Sequence, residues 1–245
     1  MINNIVKLKI YKKEYAYSYT IGAYPTIELL KYKPETVREV YLHSKYEDCS
    51  MIEKLCKNHP IIRDNKVFER IGANDNSFVL GVFQKYEMKL NTNKPHIVLV
   101  NPDDMGNLGT IIRSIIVLGY KDLAIITPAA DIYNPKTIRA SMGALFKLNF
   151  QHFASFNNYK TIFTKHKFFP FMLVAKKMLN YENCPRVELF SLIFGNEARG
   201  LEKSFLSVGQ AIQIPQTSEV DSLNLAIATA IGVYTFALKN KLIDL

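Results

Sequence analysis

The chain has 245 residues, with 31 Lys and Arg against 22 Asp and Glu, a formal net charge of +9. Hydrophobic residues make up 48% and charged residues 22%, the balance of a globular protein, which excludes a wholly disordered chain. No apolar run approaches the roughly 20 residues of a membrane-spanning helix, and Met1 to Ile10 lacks the apolar core of a signal peptide; the expectation is a soluble, cytoplasmic protein that uses no membrane.

At about 150 residues per domain, the length suits one large domain or a small one plus a medium one. Cys49, Cys56 and Cys184 show no paired spacing. They are expected to be reduced, partly buried thiols, with neither disulfides nor a metal site. The positive balance suggests a polyanionic partner.

In chain order, Tyr24 to Lys31 is predicted as a short helix and Val37 to His43 as a strand. Met51, Ile52, Leu55 and Cys56 give Asp48 to Lys57 a helical spacing, and Phe78 to Phe83 is a buried strand. These make a small α/β unit. Residues 87–95 are polar and end in Pro95, which marks a linker, so the expected domains are 1–90 and 95–245. Up to Lys94 there are 16 basic and 11 acidic residues, and after it 15 and 11, so the charge is no detachable tail.

Beyond the linker, His96 to Val100 is an apolar strand. Leu108, Ile111, Ile112, Ile115, Ile116 and Leu118 form one helical stripe closed by Gly119. Leu123 to Thr127, Phe169 to Ala175, Leu189 to Phe194 and Ala211 to Pro215 are further strands. The last helix is expected from about Ser222 to Lys239, with Leu223, Ile227, Ile231 and Tyr234 on one face. This alternation predicts an α/β domain with a mostly parallel sheet covered on both sides.

Ligands of such sheets bind beyond the carboxyl ends of the strands. Three segments there are polar and carry residues that strand physics does not require: Asn101 to Arg113, Gly195 to Leu201, and Pro215 to Asn224. Asn107 would cap the first helix, leaving Arg113 solvated on its polar face. Glu197 would bind a hydroxyl or counter a cation, or serve as an acid at a helix N-terminus. Asp221 or Ser222 would cap the last helix, leaving Asn224 on its surface. Neither a GxGxxG fingerprint nor a GxxxxGK[ST] loop occurs, which disfavours a dehydrogenase or an NTPase. Near the start, Lys7, Lys9, Tyr11, Lys12, Lys13, Tyr15, Tyr17 and Tyr19 interleave cations with aromatics. Such a segment holds phosphates and stacks unpaired bases, or is a β-ribbon with one solvated face. Lys160, Lys165, His166, Lys167, Lys176 and Lys177 suit a solvated face.

Together the three segments resemble the SpoU (TrmH-type) branch of the SPOUT RNA 2′-O-ribose methyltransferases. Asn107, Gly109 and Arg113 match its N-x-G-x-x-x-R motif. Gly195, Glu197, Gly200 and Leu201 match G-x-E-x-x-G-L. Ile214-Pro215 and Ser222-Leu223-Asn224 match the I-P and S-L-N pieces of the third motif. Arg139 to Ala144 is similar to a stretch found in the rRNA-modifying subgroup. The likeness covers residues 96–240, and residues 15–86 resemble, more loosely, the L30e-like RNA-binding domain often placed ahead of it. Gln216 and Ser218 depart from the third motif.

The resemblance implies a C-terminal trefoil knot, which few chains form. It implies a homodimer through the knot region, with the active site drawing on both chains. It also implies S-adenosylmethionine as cofactor, an RNA substrate with rRNA ahead of tRNA, and no metal. By position, Gly195, Asn196, Gly200, Ile214 and Leu223 would hold the cofactor. Arg113 and Asn107, then Glu197, Ser222 and Asn224, would be the catalytic set, while Lys7, Lys9, Tyr11, Lys12 and Lys13 would hold RNA. A guanidinium is too weak an acid to act as a base, so Arg113 is expected to clamp a phosphate and stabilise a developing alkoxide. The alternative is a catalytically silent RNA-binding or ribosome-assembly protein on the same fold, suggested by the departures at Gln216 and Ser218.

Overall fold

A computed structural model of the chain describes residues 8–73, 77–217, 219 and 221–243. In chain order the elements are β1 (Tyr17–Ile21), α1 (Ala23–Tyr32), β2 (Val37–Leu42), α2 (Ser50–Leu55), β3 (Ile61–Arg63), α3 (Asn65–Arg70) and β4 (Val79–Gln84). Then come β5 (His96–Val100), α4 (Met105–Val117), β6 (Asp122–Ile126), α5 (Pro135–Ala140), β7 (Asn149–Phe153), α6 (Phe156–Ile162) and β8 (Lys167–Pro170). β9 (Lys177–Met178), β10 (Phe190–Phe194), β11 (Ile212–Gln213) and α7 (Leu225–Lys239) complete the chain. Its residues divide into two compact units: the part up to Tyr86 with Asp131–Phe146, and Glu87–Ala130 with the part from Lys147 onward.

The first unit is built on a four-stranded sheet in the order β1-β4-β2-β3. The β1–β4 and β4–β2 pairs are antiparallel and β2–β3 is parallel. Alternation along β1 and β4 divides the buried side chains between two faces. On one, Tyr19, Leu80 and Val82 pack with Val67 and Phe68 of α3. On the other, the Thr20 and Thr26 hydroxyls meet at 2.7 Å, tying α1 to the strand. Residues 131–146 join this unit through α5, which packs on β1, and through Ser18 Oγ, which donates to the Tyr133 carbonyl at 2.5 Å. The sequence marks Ile132, Tyr133 and Ile138 as apolar but does not say against which unit they are buried.

The second unit holds a five-stranded, wholly parallel sheet in the order β7-β6-β5-β10-β8. Val98, Ala124 and Ile193 face one side and pack with Tyr159 and Phe163 of the α6 region. The alternate residues Ile97, Leu99 and Leu192 are fully buried and face the other side. There α4 and α7 pack against each other, and Phe236 of α7 lies 5.4 Å from Phe190 and 5.1 Å from Phe169, between ring centroids. Leu108, Ile111, Ile112 and Ile115 of α4 are wholly buried, worth about 1.5–3 kcal/mol each. Gly119 follows α4 with a φ of 84°, closing it as the sequence predicts.

Several local expectations need correction. α4 begins at Met105, and its cap is Asp104, whose Oδ1 accepts from the Asn107 N–H at 2.7 Å; Asn107 lies in the first turn. α7 begins at Leu225 and is capped by Asn224, not by Asp221 or Ser222. The strand expected over Phe169 to Ala175 is Lys167–Pro170, and the next residue, Phe171, bridges to Ile212 instead. The segment from Lys9 to Ala16 is not a ribbon, and regular pairing begins at Tyr17.

Candidate active site

The loops that follow β5 and β10 leave the carboxyl ends of adjacent strands, where open parallel sheets bind ligands. After β10, residues 195–201 form a closed loop. Asn196 and Gly200 exchange backbone hydrogen bonds of 3.3 and 2.9 Å. The Asn196 side chain accepts from the N–H groups of Ala198 and Arg199 at 3.0 and 3.2 Å, and donates to the Asn101 carbonyl at 2.8 Å. A Cβ on Gly195 would stand 2.2 Å from the Gly200 carbonyl carbon, so only glycine lets the loop close. Gly200 itself has a φ of 65°.

This loop aims Glu197 at the start of α4. Its carboxylate accepts from the backbone N–H groups of Asp103 and Asp104 at 3.0 and 3.2 Å and from Asn107 Nδ2 at 3.3 Å. No cation pairs with Glu197 among the described residues. Asn107 Oδ1 in turn accepts from Asn224 Nδ2 at 3.0 Å. Asn224 Oδ1 caps α7, accepting from the Ala226 and Ile227 N–H groups at 2.8 and 3.3 Å. One chain of hydrogen bonds, Glu197–Asn107–Asn224, therefore joins all three segments singled out in the sequence.

Beside it lies a cavity of about 580 Å³. Gly195, Asn196, Gly200, Ile214 and Leu223 all line it, as do Glu197 and Ser222. Its apolar wall comes largely from residues that pattern reasoning missed. Phe171 and Phe194 stack at 4.5 Å, Met172 follows, and α7 adds Leu225 and Ala228. Nothing in the sequence marked Phe171 to Val174, because the segment looks like the end of a strand. Arg199 and Lys203 at the rim were also missed.

Arg113 is not brought to this group. It stands exposed on α4, on the same side as the exposed Thr110 and Val117, and does not line the cavity. No hydrogen bond or ion pair holds it among the described residues. In the first unit, Lys9, Lys12 and Lys13 are exposed. Tyr11 is half-buried; its hydroxyl donates to Asp131, and Lys85 Nζ sits 4.7 Å from its ring centroid. Lys7 lies outside the described residues, as does Ser218. Among the described residues no group of His, Cys, Asp and Glu could hold a metal ion.

The comparisons agree with this geometry. The model of the SpoU rRNA Methylase family matches residues 94–234. The 23S rRNA (guanosine(2553)-2′-O)-methyltransferase RlmP of Bacillus subtilis is 30% identical over 152 residues, 60% of either chain. A 23S rRNA (uridine(2479)-2′-O)-methyltransferase of Streptomyces viridochromogenes is 30% identical over 144 residues, 56% of this chain and 50% of its own length. The chain thus matches only half to three-fifths of the length of these relatives. Among solved structures, the SpoU methyltransferase AviRb of Streptomyces viridochromogenes in complex with AdoMet shares the fold at a TM-score of 0.78 and 20% identity, covering 91% of this chain and 90% of that one. An AdoMet-bound rRNA methyltransferase from Sinorhizobium meliloti does so at 0.76 and 20% identity, covering 90% and 87%. With the family's second and third motifs lining one cavity, Asn107 of the first hydrogen-bonded to both, and the family model spanning more than half the residues, the chain belongs to the SpoU rRNA Methylase family.

Proposed function

We propose that the chain transfers a methyl group from S-adenosylmethionine to a ribose 2′-hydroxyl of RNA, rRNA ahead of tRNA. The observation that carries this reading is the Glu197–Asn107–Asn224 chain set against a cavity lined by Gly195, Asn196, Gly200, Ile214 and Leu223. The names of the relatives, rRNA 2′-O-methyltransferases, support the reaction class.

The residues present fit the cofactor. The cavity falls within the roughly 300–1,000 Å³ of small-molecule sites. The Phe171, Phe194 and Leu223 side chains offer apolar surface to a base. The Glu197 carboxylate accepts from neutral donors among the described residues, and no cation there competes with a cationic ligand for it. When bound, S-adenosylmethionine supplies an electrophilic methyl group on its sulfonium.

The chain's own work is orientation. Asn224 fixes the Asn107 amide, and Asn107 with Glu197 fixes the loop after β5 against the loop after β10. Ser222 at the cavity wall offers a hydroxyl to the ribose or the cofactor. Arg113 acts as a clamp for the target phosphate and the developing alkoxide.

By the same reading Arg113 serves a second copy. α7 exposes Ile227, Ile231 and Tyr234 on one stripe, 52%, 37% and 49% accessible, and it packs beside α4, which carries Arg113. A homodimer through this surface would cover the stripe and bring Arg113 toward the partner's cavity. The trefoil knot belongs to the same proposal; the convergence of residues 195–201 with Ile214, Gln216, Ser222 and Leu223 on one cavity supports it. The first unit is read as the L30e-like RNA-binding domain, with Lys9, Lys12 and Lys13 as exposed cations. No described helix is long and apolar enough to cross a membrane, and an enzyme acting on rRNA would work in the cytoplasm. The catalytically silent alternative rests on the departures at Gln216 and Ser218 alone, and Asn107, Glu197 and Asn224, present and linked, argue against it.

Incubation with methyl-labelled S-adenosylmethionine and unmodified rRNA or tRNA, followed by digestion to nucleosides, tests the proposal. Label is expected in a 2′-O-methylnucleoside. Label in a base, or cofactor binding without transfer to any RNA, would overturn it. Arg113→Ala is expected to keep cofactor affinity and lose transfer, and mixed dimers with Glu197→Gln chains would regain part of it if the site is shared.

A further inference from the structure

In the first unit, the sheet face bearing Tyr19, Tyr41, Leu80 and Val82 is covered by Leu8 and by Val67 and Phe68 of α3. The cover stops short of one end. There Tyr17 of β1 lies opposite Gln84 of β4, and Arg38 of β2 sits at a bulge, where pairing slips between Val37 and Glu39. A bulge re-aims the side chain it carries. Tyr15, two residues before Tyr17, stacks on it with centroids 5.3 Å apart and planes 16° from parallel. The Arg38 guanidinium carbon lies 5.4 Å from the Tyr17 ring centroid, and Arg38 donates to Gln84 Oε1.

Both tyrosines are half-exposed, and Arg38 and Gln84 are exposed. Arg38 is bonded to a neutral amide, and no carboxylate pairs with it among the described residues. Among the described residues, four of its five N–H groups have no partner. A solvated sheet face needs only polar side chains, not two stacked rings and a guanidinium plane. Aromatic and guanidinium planes side by side are what unpaired RNA bases stack on. The charge agrees, with 16 basic against 11 acidic residues up to Lys94. Tyr11 and Tyr19 do not share this role, because the Tyr11 hydroxyl is tied to Asp131 and Tyr19 is buried.

We propose that Tyr15, Tyr17, Arg38 and Gln84 form a platform for an unpaired base of the substrate RNA. The base stacks on the exposed tyrosine or guanidinium plane, the unused N–H groups of Arg38 hold a neighbouring phosphate, and the Gln84 amide meets the base edge. The substrate assignment rests on the reading of the chain as an RNA methyltransferase.

The test uses the whole chain and a short single-stranded RNA carrying one 2-aminopurine, whose fluorescence falls on stacking. The native chain is expected to bind and quench it. Tyr17→Ala is expected to bind about tenfold more weakly and lose the quenching, while Tyr17→Phe keeps both. Arg38→Ala, on an exposed side chain, is expected to keep the native Tm, weaken binding and lower the salt slope by about one phosphate. With rRNA, both alanine variants should raise KM for RNA and leave cofactor affinity unchanged. Native binding and quenching by Tyr17→Ala and Arg38→Ala would overturn the platform, and so would failure of the native chain to bind the oligonucleotide. Two outcomes separate this proposal from the previous one. Methyl transfer with unchanged KM in the variants sinks the platform alone. Quenching that depends on Tyr17, without any methyl transfer, upholds the platform and sinks the enzyme.

Discussion

At its two ends the parallel sheet of the second unit carries two polar networks built on opposite terms. At the amino end, His96 opens β5 and lies in register with Ser191 of β10. His96 Nε2 meets the Asn91 carbonyl and Nδ1 meets the Tyr159 hydroxyl, both at 2.8 Å. The Tyr159 hydroxyl reaches Ser191 Oγ at 2.6 Å, and His166 Nδ1 reaches the same oxygen at 2.9 Å. Only one proton order satisfies this chain. A carbonyl cannot donate, so His96 Nε2 does; Nδ1 then accepts from Tyr159, Tyr159 from Ser191, and Ser191 from His166. All four side chains are buried. Burial pushes the His96 imidazole down to about 3, so it stays neutral, and burial lowers His166 as well.

At the carboxyl end the residues are half-buried or exposed, and much of the donation comes from backbone N–H groups. Asn107 and Asn224 keep hydrogen-bonding capacity that the fold does not use. The contrast separates two purposes for polar groups on one sheet. The closed network is shut away in the core, and the open one holds its side chains in place at the edge of a cavity.

The largest expected effect breaks the open end. Gly195→Ala puts a methyl group 2.2 Å from the Gly200 backbone. Overpacking of this kind costs about 3 kcal/mol or more, which should appear as a lower Tm together with loss of S-adenosylmethionine binding by calorimetry. A loss of binding with Tm unchanged would show that the loop closes without its close approach.

Acid attacks the closed end. Below a pH of about 6.5 the unfolded chain takes up the proton that folded His96 refuses until about 3. Stability should therefore be flat above pH 6.5 and fall by up to about 1.4 kcal/mol per pH unit beneath it. Asp122, whose carboxyl burial pushes up, titrates in the opposite sense at lower pH. The quantity to read is the difference in slope between the native chain and His96→Asn in denaturant melts from pH 7 to 5. Equal slopes would mean that His96 accepts its proton without leaving the fold.

Glu197→Gln sharpens the comparison at the open end. The new NH2 would face one of the donors that Glu197 now accepts from, leaving a mismatch worth about 1–3 kcal/mol. The cost should fall on transfer rate and cofactor affinity more than on Tm. The smallest effect is that of Asn224→Ala, about 1 kcal/mol for the lost cap of α7. Combined with Asn107→Ala in a double-mutant cycle it should show coupling, because the two amides touch.

Much of the site could be read from the residues in advance, because each motif stands at a strand end and the strands themselves are apolar runs. His96–Val100 has the predicted bounds, and the five positions assigned to the cofactor all meet one cavity. Capping was harder to read. Asp104 and Asn107, or Asp221, Ser222 and Asn224, are equally good cap residues by type, and only the turn of the backbone chooses among them. β7 (Asn149–Phe153) and α6 were missed because Asn-Phe-Gln-His-Phe and its successor show only weak apolar periodicity. The union of residues 131–146 with the first unit is a long-range choice that no local pattern carries. Arg113 was legible as a residue but not as a position, since the motif does not say that α4 turns it away from the cavity.

Asn224 uses its side-chain oxygen to start a helix and its side-chain nitrogen to hold Asn107. Asp matches its reach and caps as well, but has no N–H to give. Ser and Thr carry a donor on a shorter arm. Routine thermostabilisation, which searches helix starts for better caps, therefore has no free move here. A hardier α7 obtained by exchanging this residue would come with a looser hold on Asn107, and heat resistance has to be sought elsewhere on the helix.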